Sequence, residues 1–210
     1  PRLVGIDLTA LDLRLPGAGF GQTRITAVRQ GAGTSLRFDG AALAGGVRVP
    51  DADGAPVVAT LQRLHWPMQA QPPAEGPPAA PSPAPSGDAD TIDPATLRPI
   101  RLAIEDLRVG PLQLGTADGS LVRVPGGVAL DHLRVQSPQH RIELRGRWTG
   151  RGTAARTTLE ADLESDDFGR LASGLGFAGS IVGGQGRVDF DAAWPGAPNA
   201  FAVASLEGAL

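Results

Sequence analysis

The clearest pattern in this chain is the stretch Val182-Gly-Gly-Gln-Gly-Arg-Val-Asp-Phe-Asp-Ala-Ala-Trp194. Its even positions carry Val, Gly, Phe, Ala and Trp, whereas positions 185, 187, 189 and 191 carry Gln, Arg, Asp and Asp. This alternation predicts a β-strand with one apolar face and one solvated face. A Trp-Pro-Gly-Ala-Pro corner follows at 194–198, and a second apolar segment runs to Leu210. We therefore expect a terminal pair of strands, in an excerpt from a longer protein.

Short alternating segments continue along most of the chain, separated by Gly, Pro, Asp and Asn, as turns require. Connections this short cannot contain parallel crossovers, so we expect an antiparallel meander. The predicted strands are Val4–Leu15, Arg24–Arg29, Ser35–Phe38, Gly46–Val49, Val57–Trp66, Ile100–Val109, Leu112–Leu114, Ser120–Val124, Val128–Val135, Arg141–Trp148 and Thr157–Leu163, followed by the terminal pair.

The apolar alternation slips by one residue inside two of these strands. The slips fall between Ile104 and Leu107 and between Leu130 and Leu133. In a flat sheet each slip would turn all the following side chains to the opposite face. We therefore predict β-bulges or strong bends at both places, and a curved sheet.

One segment, residues 165–176, has helical periodicity. Ser165 is a suitable N-cap, and Asp166 and Asp167 suit the positive end of a helix dipole. A glycine at 174 or 176 can end the helix. We expect this helix to cover one edge of the sheet with its apolar side, which consists of Phe168, Leu171, Ala172 and Leu175.

The composition divides the chain into three parts: strands over 1–68, an insert over 69–98 and a second β segment over 99–210. The insert has seven prolines between positions 72 and 85 and no large apolar residue in its first half. Such a segment buries too little surface to offset its ordering entropy, so we predict a disordered, polyproline-leaning insert. A proline-recognition ligand is a weaker alternative, because no basic residue flanks the prolines.

The composition also excludes several classes of function. The formal net charge is −3 with charges of both signs interspersed, which argues against nucleic-acid binding. The absence of cysteine excludes disulfides and thiolate chemistry. No apolar run approaches the roughly 18–20 residues that a membrane-spanning helix requires.

No arrangement of residues predicts catalysis, a metal site or a cofactor. His65, His132 and His140 lie in or beside strands without a metal-ligand spacing, so they are interpreted as ordinary sheet residues. Residues 51–54 resemble the start of a calcium loop but lack its downstream glutamate, and a hairpin turn explains them better. Residues 183–186 resemble a nucleotide-binding turn, but no helix follows to hold a phosphate.

Aromatic residues are scarce, with six Phe, three Trp and no Tyr. Sugar-binding and nucleic-acid-binding surfaces usually stack rings on their ligands. A surface with many aliphatic side chains and few rings is better suited to alkyl chains. The same aliphatic residues are explained more simply as the closed core of an ordinary β-sandwich, and the pattern alone favours this interpretation.

Several segments of the second half together resemble a known family. These are Arg141-Ile-Glu-Leu-Arg-Gly-Arg-Trp148, Leu163-Glu-Ser-Asp-Asp-Phe-Gly-Arg-Leu171, Leu175-Gly-Phe177, Gly183-Gly-Gln-Gly186, Phe190-Asp-Ala-Ala-Trp-Pro-Gly-Ala-Pro198, Phe201 and Ser205-Leu-Glu-Gly208. In this order and spacing they resemble the AsmA-like proteins of Gram-negative bacteria, and within them the YhdP branch. The match is good over residues 97–210 and looser over 1–68, and the Pro/Ala-rich insert departs from the pattern.

The resemblance implies a fold and a function. The expected fold is mostly β: a long curved antiparallel sheet rolled into an open hydrophobic groove, with one short helix near 165–175. The implied function is to carry phospholipid acyl chains between the inner and outer membranes, without catalysis or cofactor. The chain would lie in the periplasm, and a segment outside it would anchor the protein to the inner membrane.

The residues predicted to line the groove alternate with polar neighbours. They are Leu102, Ile104, Val128, Leu130, Ile142, Leu144, Leu159, Leu163, Val188 and Phe190. Two alternatives remain open at this point. One is a non-catalytic scaffold for envelope biogenesis that acts through exposed strand edges. The other is a carbohydrate-binding β-sandwich.

Overall fold

The computed structural model describes residues 5–15, 18–67, 92–174 and 183–198. Its strands and single α-helix, in chain order, are β1 (Gly5–Ala10), β2 (Arg14–Leu15), β3 (Ala18–Gly19), β4 (Thr23–Arg29), β5 (Gly33–Gly40), β6 (Leu43–Pro50), β7 (Val57–Trp66), β8 (Ile100–Val109), β9 (Leu112–Val124), β10 (Gly127–Gln136), β11 (His140–Thr149), β12 (Arg156–Ser165), α1 (Phe168–Gly174) and β13 (Gly186–Pro195). Two short 3-10 turns occupy Pro94–Thr96 and Gly152–Ala154.

Eleven strands form one open sheet in the order β1-β4-β5-β6-β7-β8-β9-β10-β11-β12-β13, and β2 pairs with β3 in a separate hairpin. Neighbours in the sheet are neighbours in sequence apart from the small hairpin, as expected for a meander. β1 and β13 are the two edges, so the sheet is not closed into a barrel. The predicted mostly-β fold with one short helix is confirmed.

The expectation of antiparallel pairing throughout is wrong at one place. β7 and β8 are parallel, with Val57 opposite Ile100 and Trp66 opposite Val109. A parallel neighbour requires a connection that returns along the length of the strand, and residues 67–99 are long enough to do so. Residues 68–91 of this connection lie outside the described part of the chain, as does the second predicted terminal strand in 199–210.

Several of the predicted strand boundaries also differ from the structure, most clearly in two places. The predicted strand Val4–Leu15 ends at Ala10, because the following residues fold into the β2–β3 hairpin and bury Phe20. The ring of Phe20 meets that of Trp66 edge-on at a centroid distance of 5.6 Å. Conversely, the two segments predicted over 112–124 are a single strand, β9.

Both predicted bulges are confirmed. The register shifts between Ile104 and Leu107 against β9, and between Leu130 and Leu133 against β11. A further shift occurs in β6 between Ala44 and Gly45. Bulges of this kind bend the strand and increase its twist, which favours a curved sheet.

Gly115 shows why glycine stands at one of these irregularities. Its φ is +76°, and a Cβ at this position would overlap the carbonyl oxygen of Gln136. Glycine alone combines the positive φ with this close approach of the neighbouring backbone.

Helix α1 begins later than the sequence predicted. Ser165 is the last residue of β12, paired with His140 and Gly186, and is therefore not the N-cap. Asp167 takes that role, because its Oδ1 accepts a hydrogen bond from the backbone N–H of Arg170 at 2.9 Å. Leu171 packs into the main hydrophobic cluster and Phe168 packs against it, as the periodicity predicted. Leu175 and Gly176 lie outside the described residues.

The contact between α1 and the sheet leads to a stability prediction. A Cβ on Gly174 would overlap the side chain of Leu112, which is fully buried. We expect Gly174→Ala to lower the free energy of unfolding by about 1–3 kcal/mol through overpacking, although alanine is the better helix former. Chemical denaturation measures this, with the exposed Ser173→Ala as the matched control. A Gly174→Ala protein as stable as the control would show that α1 does not press on Leu112.

Candidate functional site

The cross-strand registers place one apolar row across the whole sheet. We call it the first apolar row; in strand order it is Leu8, Ile25, Phe38, Gly45, Leu61, Ile104, Ala117, Val135, Ile142, Leu163 and Val188. Directly paired residues project from the same face of a sheet. This row crosses eleven strands without a polar residue, and at about 4.8 Å per step it is roughly 48 Å long.

The adjacent row consists of a sequence neighbour of each residue in the first apolar row. Because successive residues of a strand point in opposite directions, this row projects from the opposite face of the sheet. This charged row is Asp7, Thr26, Arg37, Gly46, Thr60, Ala103, Asp118, Arg134, Glu143, Asp162 and Asp189. Seven of its eleven members are charged. The two rows define an apolar face and a polar face of the sheet, and the distinction holds on both sides of the parallel pair.

Two further apolar rows lie on the same face of the sheet as the first row. They run parallel to it, and both lie on the same side of it. The second apolar row is Ile6, Ala27, Leu36, Val47, Ala59, Leu102, Gly119, Leu133, Leu144, Ala161 and Phe190. The third apolar row begins at β7 and consists of Val57, Ile100, Leu121, Leu130, Gly146, Leu159 and Ala192. Together the three rows make the apolar face a continuous surface.

The middle of the first apolar row is covered, whereas its ends are open. Ile104 is 4% exposed and Ile142 8%, but Leu8 at one sheet edge is 45% exposed and Val188 at the other 44%. The cover consists of Phe20 with Ala18 from the β2–β3 region and of Leu171 from α1, which join the same hydrophobic cluster. We call this side of the sheet, where β9 begins and β12 ends, the helix end.

At the other ends of these strands, away from the helix end, the apolar face is covered by residues 92–99, which we call the strap. Arg123 donates from Nε to the carbonyl oxygen of Leu97 at 3.0 Å, and Arg151 forms an ion pair with Asp93 at 2.6 Å. The turn of the strap contacts β10 and β11, and its Pro94 is fully buried. Val128 at the start of β10 is only 3% exposed. The end of the predicted insert is thus part of the folded structure.

The second and third apolar rows lie between these two covers and form an open trough. Along the second row Ile6 is exposed, Ala161 is buried and the other nine residues are half-buried. In the third row Ile100 is 39% exposed. In the described residues no second sheet of comparable size packs against the apolar face. The trough therefore presents a large aliphatic surface that crosses the strands from one sheet edge to the other.

All ten residues predicted to line a groove lie on the apolar face, but they are not equivalent. Ile104 and Ile142 are buried in the cluster to which the helix-end cover belongs, and Val128 is buried beside the strap. Val188 is exposed. The remaining six, which are half-buried, are Leu102, Leu130, Leu144, Leu159, Leu163 and Phe190.

The sequence analysis missed the first half of the trough. Leu36, Val47 and Ala59 belong to the second row but precede the insert, and Leu133 follows a bulge. The signal was present in the alternation of β5 and β6, where apolar residues occupy every second position. The pairing of β7 with β8 was needed to join the two halves, and no local pattern predicts it.

The polar face carries several ion pairs between exposed or half-exposed side chains. Arg24 donates to both carboxylate oxygens of Asp7, and this hydrogen bonding lowers the pKa of Asp7. The pKa of Asp106 is likewise lowered, mainly by its hydrogen bond with His65. Exposed pairs such as these contribute little to stability, because water screens the two charges. Because the polar face is occupied by charged side chains, the apolar face is the surface of the sheet that suits apolar ligands.

In the described residues no group of three His, Cys, Asp or Glu side chains is arranged to hold a metal ion. The helix of the described chain is too short to cross a membrane.

Comparison with known proteins identifies one family. The family model described as YhdP protein matches residues 1–210, which is the full chain. No curated protein matches the chain. No solved structure matches it either.

Proposed function

Because the chain belongs to the YhdP family of cell-envelope proteins, we propose that it is one segment of a hydrophobic groove that carries phospholipids between the inner and outer membranes. The observation that carries this proposal is the open trough, whose second apolar row crosses all eleven strands and is half-buried in nine of them. A closed globular core would bury these residues beneath a second layer. In the part of the chain that the structure describes, two narrow covers leave the middle rows accessible.

The trough suits acyl chains because aliphatic contact is non-directional and depends mainly on the area removed from water. A chain can move along the apolar rows without breaking a hydrogen bond or an ion pair. Headgroups would remain in water along the open side of the trough. This mechanism needs no catalytic residue, metal or cofactor.

The proposal places the chain in the periplasm of a Gram-negative cell. Contacts with the two membranes would be made by parts of the protein outside this chain, including an anchor in the inner membrane. The partners of the chain itself would be phospholipid acyl chains, and the interspersed charges give no surface for nucleic acid.

The two alternative functions, an envelope scaffold and a carbohydrate-binding β-sandwich, have different structural support. A scaffold that acts through strand edges is favoured by one observation: within the described residues no strand pairs with the outer edge of β1 or of β13, and such edges can accept a further strand. A carbohydrate-binding β-sandwich requires two large facing sheets, which the described residues do not form.

Site-specific photo-crosslinking in cells tests the proposal. A photoreactive residue at Leu144 or Val188 of the full-length protein is expected to capture labelled phospholipid, because both positions lie on the apolar face and are not sealed. The matched controls are Glu143 and Arg187, the preceding residues on the polar face. Equal capture on both faces, or none on either, would contradict a lipid-carrying trough and favour the edge-binding scaffold.

A further inference from the structure

The strap crosses the ends of neighbouring strands on the apolar face. Arg123 of β9, Val128 of β10 and Trp148 of β11 are directly paired in the sheet and therefore project from the same face. Arg123 binds the carbonyl oxygen of Leu97, which ends the turn of the strap, and this turn contacts β10 and β11. The strap therefore lies over one row of side chains. We call it the strap row; in strand order it is Arg123, Val128, Trp148, Thr157 and Trp194.

The two tryptophans of the strap row differ in how their indole N–H groups are satisfied. Trp194 is 3% exposed, and its Nε1 donates to the carbonyl oxygen of Ala197 at 3.0 Å, in the corner that follows β13. Trp148 as a whole is half-buried, but its Nε1 atom is buried. Within the described residues no group accepts a hydrogen bond from this atom. Because buried donors in native proteins are normally paired, the Trp148 N–H is available to an acceptor from another molecule.

The strap is held over this row mainly by side chains. Arg151, which follows β11, forms an ion pair with Asp93 at 2.6 Å, and its side chain is 74% exposed, so that water screens the pair. Pro94 supplies the apolar contact, since it is fully buried. Over residues 92–98 the described structure has no backbone–backbone hydrogen bond to a strand. A ligand that replaces the burial of Pro94 can therefore displace this part of the strap without disrupting the sheet.

The strap row borders the trough directly. Leu130 of the third apolar row stands two residues from Val128, and Gly146 of the same row stands two residues from Trp148. Residues two apart in a strand project from one face, about 7 Å from each other. An apolar chain in the trough therefore reaches Trp148 by moving sideways by one row.

The surroundings of the Trp148 N–H favour a neutral acceptor attached to an apolar chain. Val128, its direct partner in the sheet, is aliphatic and 3% exposed. Arg123, the cation of the strap row, stands two strands away from Trp148, about 10 Å at 4.8 Å per strand. An ionised acceptor buried without an adjacent cation would be costly. An ester carbonyl avoids this cost, because it is uncharged, and it stands at the head of an acyl chain.

We propose that the acyl ester of a lipid displaces the strap and binds along the strap row, where its carbonyl oxygen accepts a hydrogen bond from Nε1 of Trp148. The acyl chain takes the place of Pro94 over Val128. The ion pair between Arg151 and Asp93 breaks, and both groups become hydrated. The strap is thus a cover that competes with lipid for this part of the sheet. That the lipid arrives through the trough rests on the function proposed above.

Nuclear magnetic resonance of the indole N–H groups tests this site, because the full chain has three tryptophans. The probe is dihexanoylphosphatidylcholine, a short-chain diester, below the concentration at which it forms micelles. We expect the indole proton of Trp148 to shift downfield on titration as its hydrogen bond forms. The indole proton of Trp194, which is already bonded to Ala197, should stay unchanged.

Two further ligands separate the ester from other acceptors. The dihexyl ether analogue has the same headgroup and chain length but no ester carbonyl, so it should not produce the downfield shift of Trp148. Equal shifts with both lipids would overturn the hydrogen bond to the carbonyl, and no shift with either would overturn the site. Octanoate that shifts Trp148 as strongly as the diester would overturn the ester assignment in favour of an anion.

Substitution of Trp148 measures the hydrogen bond through affinity. Trp148→Phe keeps an aromatic ring but removes the N–H. We expect it to weaken binding of the diester about fivefold relative to the ether analogue, the fold-change that corresponds to one hydrogen bond. An equal loss of affinity for both lipids would show that the ring contributes only apolar contact.

Substitution of Asp93 tests the displacement of the strap. Asp93→Asn removes the ion pair with Arg151 but keeps an acceptor for the backbone N–H of Ala95. We expect it to raise the affinity for the diester about two- to fivefold, because the strap is then more easily displaced. Asp191→Asn, at an exposed position of the polar face, is the matched control and should have no effect. Unchanged affinity of the Asp93→Asn protein would show that lipid binds without moving the strap.

The strap site and the trough can fail independently. Lipid capture at Leu144 without a response of Trp148 would support the trough and contradict the strap site. A Trp148 response to the diester without capture at Leu144 or Val188 would support the strap site and contradict passage of lipid along the trough.

Discussion

An aspartate in place of Ile104 is expected to unfold the chain or nearly so. Ile104 lies in β8, where it pairs with Leu61 of the parallel neighbour β7, and it is 4% exposed in the cluster that joins the sheet, the β2–β3 region and α1. The change removes a buried aliphatic side chain and leaves an unpaired carboxylate in its place. We expect a loss of at least about 4 kcal/mol, a large fraction of the roughly 5–15 kcal/mol that stabilises a typical domain.

Chemical denaturation followed by circular dichroism measures this loss. The matched control is Thr60→Asp, which introduces the same charge on β7, at an exposed position of the polar face one residue from Leu61. We expect the control to stay within about 1 kcal/mol of the original chain, as is usual for surface substitutions. Equal stability of the two variants would show that the cover over the first apolar row does not form.

The same substitution at Val188 is expected to leave the fold intact and to stop lipid passage. Val188 is 44% exposed on the edge strand β13, so an aspartate there can remain hydrated and the free energy of unfolding should change by about 1 kcal/mol or less. On the apolar face, however, an ionised carboxylate next to acyl chains would have to be partly desolvated, at a cost of several kcal/mol. Since 1.4 kcal/mol is a factor of ten, we expect lipid captured by a probe at Leu144 to fall at least tenfold.

Thr158→Asp is the control for this experiment. It places the same charge on the exposed polar face of β12, the strand next to β13, and should leave lipid capture unchanged. Unfolding of the Val188→Asp protein would indicate that this edge belongs to a closed core. Undiminished capture in a folded Val188→Asp protein would show that lipid does not pass along this face.

The contrast between Ile104 and Val188 shows how far sequence pattern predicted the candidate site. Both residues alternate with polar neighbours, and both were therefore expected to line a groove. Alternation specifies the face from which a side chain projects, because successive residues of a strand point in opposite directions. It does not specify what lies on that face. Ile104 is buried in a cluster that also contains Phe20 and Leu171, which are distant in sequence, whereas Val188 is exposed at the sheet edge.

Local patterns in the sequence determined the elements of this protein. They placed most strands, both tested bulges and the helical periodicity around Leu171, since these depend on side-chain spacing within a few residues. The helix start was misplaced because Ser165 is drawn into β12 by its pairing with His140. A suitable capping residue is a local property, but its recruitment into a strand is not.

Tertiary structure alone decided how these elements join and what they leave exposed. The parallel pairing of β7 with β8 unites two half-sheets across residues 67–99, so that Leu61 and Ile104 become neighbours in one row. Pairings over such a separation carry no local signal, because they depend on the closure of a long connection and on the burial of two apolar faces together. The positions of the two covers likewise arise only when distant segments pack on the sheet, and among the described residues they leave the trough open between them.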